Sequence, residues 1–398
     1  MMVLMSKILL LWFRALIPRP GRKQKGTRPR KWQKSVYLQA WIEDARQIAM
    51  NSRLQLRQPM LTLFTIAIGA CGAALAFALS LPASVLIGPA LTVSLISLSG
   101  LRMEISDRTR DVCFVLLGLG IGAGFNAQAT AAILHWPLAF VVMAVLLVAI
   151  MQLCSVVLVR AFGFERRSAI LAAAPGHLSF VLGMATDVDG DVGRIAVVQT
   201  IRLLALTISV PFVAMAMGYE MSAIAVIGGP PMQLWHILTL VAVAVGLGMV
   251  LKRMNLPAPL LLGAMAASSL GHASELTPGS VPIWLMTPAF LVLGTMIGTR
   301  FSGMSLATFR ASLMAGLTTT AIAVVLASFA ALPVAWTLGM PVPHVLAAFS
   351  PGGLETMIAL SATMGASPGF VTACHVIRLL ILTILIPLSL GRRRRYRA

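Results

Sequence analysis

The sequence predicts an all-α polytopic membrane protein. It contains two internal repeats, inverted relative to one another, each with about five crossings plus one broken or re-entrant segment. Three observations predict this. The 398-residue chain is 58% hydrophobic and only 11% charged, with a mean hydropathy of +0.91, whereas soluble domains are about 25% charged. Apolar runs near the length of a bilayer crossing recur from about residue 60 to residue 390. A pattern of breaks and buried charge also occurs twice at one constant offset, the one that takes Pro175 to Pro351 and Arg202 to Arg378.

That pattern organises the chain. Pro351-Gly352-Gly353-Leu354-Glu355 precedes an apolar run carrying a bare arginine, Ile377-Arg378-Leu379-Leu380, that reaches Pro387. Pro175-Gly176-His177-Leu178 likewise precedes Ile201-Arg202-Leu203-Leu204 and Pro211. An arginine in such a run costs about 2.5–3.5 kcal/mol on insertion scales, so two at matched positions demand a reason. Between 175–213 and 351–389, 12 of 39 positions are identical. Leu81-Pro82-Ala83 with Gly88 pairs with Leu256-Pro257-Ala258 with Gly263, and Gly118, Gly122 and Phe125 pair with Gly294, Gly298 and Phe301. An internal duplication follows.

Taken in order, residues 1–58 read as a basic cytoplasmic or interfacial extension. The stretch 1–18 is apolar but carries Lys7 and Arg14, with neither a charged leader before it nor a small-x-small cleavage site after. Met50 and Met60 offer later starts just before the membrane body. Repeat 1 spans 59–217, a connecting loop 218–233, repeat 2 234–391 and a basic tail 392–398. The apolar segments run at about 60–80, 82–101, 112–134, 136–160, 168–186 and 194–217, then 234–251, 257–272, 284–300, 311–332, 343–364 and 369–390.

Charge sets the expected orientation. Of the net +19, residues 1–60 hold +11 and the tail +5, leaving +3 for the body. No nucleic-acid partner is implied for the body, although the ends can meet anionic lipid. Both termini should be cytoplasmic in an inner membrane. Twelve full crossings would make the repeats parallel and put Lys252/Arg253 and Arg300/Arg310 outside. If 168–186 and 343–364 are broken and do not cross, every Lys/Arg cluster falls inside and the repeats are inverted. Pro-Gly in mid-segment breaks a helix, which favours the second arrangement and makes the uncharged 221–233 connection, Met232 included, external.

Inverted repeats with interrupted helices are the usual build of secondary transporters, whose half-helix N-termini face an anionic group near the midplane. Pro175, Gly176, Pro351, Gly352 and Gly353 would form the breaks. Arg202 and Arg378 would anchor the solute, or else brace exposed carbonyls at the breaks. Glu355 is the lone carboxylate of the second break, able to pair with an arginine or carry a coupling proton. His375 and its counterpart Gln199, one turn before the arginines, read as proton relay or polar glue. His177 follows the first break and completes the candidate set. His135, His236, His272 and His344 lie near segment ends.

Other motifs carry less. Asp187, Asp189 and Asp191 imitate the start of a calcium loop, but Val192 and Val198 stand where its glycine and glutamate belong; a solvated turn is expected. Cys71, Cys113, Cys154 and Cys374 form no C-x-x-C and read as small buried hydrophobes. No cofactor or metal is expected. A solute coupled to protons or sodium and the bilayer are the expected partners, with homo-oligomers open.

The repeated unit (Leu-Pro-Ala near a glycine, then Ala174-Pro175-Gly176 or Ser350-Pro351-Gly352-Gly353-Leu354-Glu355, then Ile-Arg-Leu) resembles the bacterial AbrB-type membrane protein family, the membrane AbrB duplication, over residues 60–390. This is not the soluble DNA-binding regulator of the same name. The resemblance implies the duplicated membrane fold and two labels, ammonia monooxygenase and regulator of gene expression. Family members tend to have Gly-Gly and an acidic residue where this chain has Gly176-His177-Leu178-Ser179, which leaves Glu355 without a partner carboxylate. Oxygen activation needs convergent His and carboxylate ligands, and no H-x-x-x-H or E-x-x-H spacing occurs; His177, His375 and Glu355 could converge only across the repeat interface. Transport of a small anionic solute is therefore the leading expectation. A membrane sensor without transport and a metal-dependent monooxygenase stand beside it.

Overall fold

The computed structural model describes residues 58–123, 136–176, 178–188, 190–219 and 230–390. The basic extension, the tail from residue 391, His135, His177 and Asp189 lie outside the described residues. Among those described, the chain is helical with no strand beyond one isolated bridge, Pro231 to Ser280. The helices are α1 (Gln58–Ala78), α2 (Ser84–Leu98), α3 (Asp107–Gly122), α4 (Pro137–Phe162), α5 (Arg166–Ala173), α6 (Leu178–Asp187) and α7 (Val192–Ala216), then α8 (Leu234–Arg253), α9 (Pro259–Ala273), α10 (Ile283–Thr299), α11 (Leu306–Leu338), α12 (Val342–Phe349), α13 (Leu354–Thr363) and α14 (Pro368–Leu390).

Six of them (α1, α4, α7, α8, α11 and α14) are long and apolar enough to cross a membrane. Their exposed faces carry large apolar side chains, Phe64, Val141, Trp235, Phe329 and Trp336 among them, as a lipid-facing surface should. Side-chain oxygens of Ser106, Asp191 and Ser305 cap α3, α7 and α11. Gly163 and Gly339 end α4 and α11 in the left-handed conformation, at φ 63° and 61°.

α2, α3, α9 and α10 form the inner crossing. Ser268 Oγ donates to Leu119 O at 2.7 Å and Ser269 Oγ to Gly122 O at 3.1 Å, so α3 runs parallel to α9. Ser97 Oγ donates to Gly298 O at 3.3 Å, and Gly294 faces the Leu86 carbonyl, so α2 runs parallel to α10. Glycine permits both approaches. A β-carbon at Gly118 would lie 2.5 Å from Leu261 O, and one at Gly294 would collide with Leu86 O. Gly118 and Gly294 hold matched places in the sequence pattern, and so do the leucines they face, Leu86 and Leu261.

Both broken segments fold back on themselves. α5 and α6 form a hairpin whose base is closed by Asp191 N donating to Ser168 Oγ at 3.0 Å. α12 and α13 form another, closed by His344 Nε2 donating to Met364 O at 3.2 Å. Each segment begins and ends at the same level, the geometry of a re-entrant loop. The local cause is proline. Ala174 (ψ 119°) and Ser350 (ψ 131°) precede Pro175 and Pro351 and leave the helix for extended backbone.

Pro211 and Pro387 lie inside α7 and α14, which run on to Ala216 and Leu390, near the ends that the apolar runs predict. Membrane helices tolerate proline because neighbouring groups re-satisfy the freed carbonyls. α11 is 33 residues long and starts ahead of its apolar run. Met232 is buried, its N–H donating to Ser280 O at 2.8 Å, so it is a poor reporter of an external loop, although neighbouring Gln233 is exposed.

Candidate functional site

Each hairpin tip is gripped by a side chain from the helix that follows it. In the tip at Pro175, Gly176 N donates to Ala174 O at 2.9 Å; at Pro351, Gly352 N donates to Ser350 O at 2.8 Å. These tight turns leave the final carbonyls of α5 and α12 without helical partners. α7 runs beside α5 and offers Gln199 and Arg202 one turn apart; α14 runs beside α12 and offers His375 and Arg378.

Arg378 Nη1 donates to Ser350 O at 2.9 Å and Nη2 to Gly352 O at 2.8 Å. Arg202 Nη2 donates to Ala174 O at 3.2 Å, Nη1 to Ala173 O at 3.4 Å, and the same guanidinium bonds Gln199 Oε1. Gln199 Nε2 reaches Leu171 O at 2.9 Å and Ala174 O at 2.8 Å. His375 Nε2 donates at 3.3 Å to Ala347 O, and Ala347 holds the place in its half that Leu171 holds in the other. All four side chains are at most 2% exposed. The carbonyls give these buried donors the partners that apolar surroundings would otherwise deny.

The two tips meet at a cavity of about 380 Å³. Gly176 and Leu178 line it from one hairpin; Gly352, Gly353, Leu354 and Glu355 line it from the other. Arg378 forms part of the wall, its Nε without a protein partner among the described residues; Arg202 is not in the lining. The first residues of α6 and α13 line the cavity, and the first-turn N–H groups of a helix carry the positive end of its dipole. α3 adds Arg110 and Asp111, the end of α8 Lys252, and the end of α10 Arg300. Four cations thus stand against two carboxylates. Arg110 is neutralised by Asp107 and Asp111, at 2.8 and 2.9 Å. Lys252, Arg300 and Arg378 enter no ion pair among the described residues, and neither does Glu355, which is half-buried.

Of the sequence candidates, Gly176, Gly352, Gly353, Glu355 and Arg378 come together at the cavity. Arg202, Gln199 and His375 sit behind the tips as braces, and Pro175 and Pro351 make the turns. Arg110, Lys252 and Arg300 were legible only as topology markers, since separate elements bring them together. The signal available was their position: Lys252 stands shortly before Pro257, and Arg300 beside Phe301.

The remaining candidates find structural places. Asp191 Oδ1 caps α7 by accepting from Arg194 N at 3.0 Å. His272 bonds Ser268 O at 2.7 Å and Gly279 O at 2.8 Å. Cys113, Cys154 and Cys374 are buried and free, while Cys71 is exposed. Among the described residues, no three of His, Cys, Asp and Glu converge as a metal site would require.

Comparison with known proteins adds a family. Residues 85–392 match a family described as "Transition state regulatory protein AbrB". A protein of Escherichia coli (strain K12) named "Putative regulator AbrB" is 26% identical over 310 residues, covering 76% of this chain and 87% of that one. "Uncharacterized protein YhjN" of Bacillus subtilis (strain 168) is 25% identical over 291 residues, covering 69% of this chain and 75% of its own.

Proposed function

The chain belongs to the AbrB family, and from that premise we propose that it is a secondary transporter of a small anionic solute, built as two inverted repeats. One observation carries the reading: two re-entrant tips, two helix N-termini and Arg378 converge on one cavity. Fixed donors of this kind recognise a carboxylate or phosphate without reorganising. Lys252 and Arg300 draw the anion to the mouth. Glu355 supplies a titratable carboxylate beside the bound charge.

Duplication is supported by hydrogen bonds that recur at the offset of the sequence pattern, Gly176 to Ala174 as Gly352 to Ser350 and Gln199 to Leu171 as His375 to Ala347, and inversion by α3 running parallel to α9, and α2 to α10, each the non-equivalent helix of the other half. Each closed hairpin removes one crossing from its half, which turns the second half over. Arg110, Lys252 and Arg300 then share the cytoplasmic side with both termini, and the cavity opens inward. The E. coli relative's name points to regulation; moving a metabolite that acts as a signal would produce that effect without a DNA-binding part.

The test is thermal unfolding of the purified protein against mono- and dicarboxylates, phosphate, amino acids and ammonium. A ligand at a hundredfold excess over its Kd adds about 2.7 kcal/mol of stability. One anion class should stabilise, and its effect should fall in Lys252→Gln/Arg300→Gln, whose unliganded melting stays near wild type because both side chains are exposed. If no anion shifts the transition, or ammonium alone does, the anion-transport reading is wrong.

A further inference from the structure

A second cavity, of about 240 Å³, lies away from the hairpin tips, between the last turns of α4, the start of α5 and the end of α14. Its floor is apolar: Met151, Val156 and Val159 on α4, and Ile170 on α5. Its rim holds Arg160 and Arg166. Both arginines are exposed and in no ion pair among the described residues. Glu165, next to Arg166, instead accepts from Ser168 Oγ at 3.3 Å. The other rim hydroxyls serve their own helices: Ser155 Oγ donates to Gln152 O at 3.0 Å and Ser389 Oγ to Leu385 O at 2.8 Å.

We propose that this groove binds an anionic phospholipid, its phosphate between Arg160 and Arg166 and one acyl chain running along Val159 and Val156 towards Met151. The geometry matches the ligand at both ends. α4 is one of the spanning helices, and Arg160 stands in its last turn, where headgroups lie. From Arg160 to Met151 the helix descends about 14 Å, enough to bring a chain from headgroup level into the hydrocarbon. Val156 and Val159 are 42% and 37% exposed, so the apolar wall opens sideways to lipid. A free phosphate would use the rim and ignore the floor. The chain's own tail is the wrong occupant, because Arg392 to Arg395 carry the same sign as the rim. Arg166 begins α5, so an occupied groove would also clamp the base of the hairpin whose tip lines the solute cavity.

Native mass spectrometry of the full chain, offered equal amounts of phosphatidylglycerol and phosphatidylethanolamine with matched acyl chains, tests this. Each arginine near an anionic surface contributes about 1 kcal/mol, which is about fivefold. Phosphatidylglycerol should be retained preferentially, and Arg160→Gln/Arg166→Gln should erase most of that preference. Arg160→Lys/Arg166→Lys should keep much of it, and Arg102→Gln, at an exposed arginine elsewhere, all of it. Equal retention of the two lipids, or a preference untouched by the double Gln change, would overturn the proposal. So would displacement of the lipid by millimolar inorganic phosphate, which would make the site one for a free ion.

Discussion

Arg378 donates to Ser350 O and Gly352 O, on both sides of the turn at Pro351, with one guanidinium. A planar fork can span the two acceptors; an ammonium reaches them only as a point charge. Hydrogen bonds to charged groups are worth about 1.5–3 kcal/mol. Arg378→Lys should therefore lower the melting temperature and also weaken solute binding, because the side chain lines the cavity. Arg202→Lys should lower the melting temperature with a much smaller effect on binding. Equal binding losses in both would mean that Arg202 contacts the solute too.

Glu355 stands in the first turn of α13 and lines the cavity. In Glu355→Gln, solute exchange across proteoliposomes should continue while uptake driven by a pH gradient falls by about tenfold or more. The charge-neutral side chain keeps its shape but cannot release a proton. A gradient-driven rate unchanged from wild type would remove Glu355 from the coupling step.

Gly118 and Gly294 set how closely the inner helices approach. Gly118→Ala and Gly294→Ala each force a methyl group against a carbonyl oxygen, of Leu261 and Leu86 respectively. Overpacking of this kind costs about 1–3 kcal/mol, so each should show a lower midpoint in thermal unfolding. Gly100→Ala, where nothing lies within 4 Å, meets no such clash, although its φ of 97° carries backbone strain. Melting temperatures unmoved in both Gly118→Ala and Gly294→Ala would mean that the crossing can slide apart.

Orientation is open to a direct probe. In a Gln233→Cys variant with Cys71 replaced by Ser, a membrane-impermeant maleimide should label intact cells. Gln233 is exposed just before α8, and the proposed arrangement, with five crossings from a cytoplasmic start, would put it outside. Labelling only after permeabilisation would require the other arrangement, with parallel repeats.

Much of the fold was legible because its signals are local. Proline followed by glycine cannot continue a helix, and an arginine among isoleucines and leucines must find acceptors; both facts sit in single stretches of sequence. The folding-back of 168–186 and 343–364 also followed from charge, since only non-crossing segments put every basic cluster on one side. What the sequence left open was which acceptors the arginines use. That depends on α5 lying alongside α7 and α12 alongside α14, contacts between elements that are not neighbours in the chain. The charged mouth was hidden for the same reason: Arg110, Lys252 and Arg300 belong to three separate helices, and each alone looks like an ordinary cytoplasmic marker.

The tips are shared between the halves. Each is held by its own half's arginine, yet Gly176 faces Leu382 on α14 and Gly353 faces Leu203 on α7; a β-carbon at either glycine would lie 3.6 Å from that leucine. Neither half walls the cavity alone. If the halves are the inverted copies proposed above, a gene encoding one half alone would have built this site as a pair of polypeptides inserted in opposite orientations. Fusion into one reading frame would have fixed one orientation for each copy and freed the two tips to diverge. The difference between Gly352-Gly353-Leu354-Glu355 and Gly176-His177-Leu178-Ser179 is what such divergence would leave.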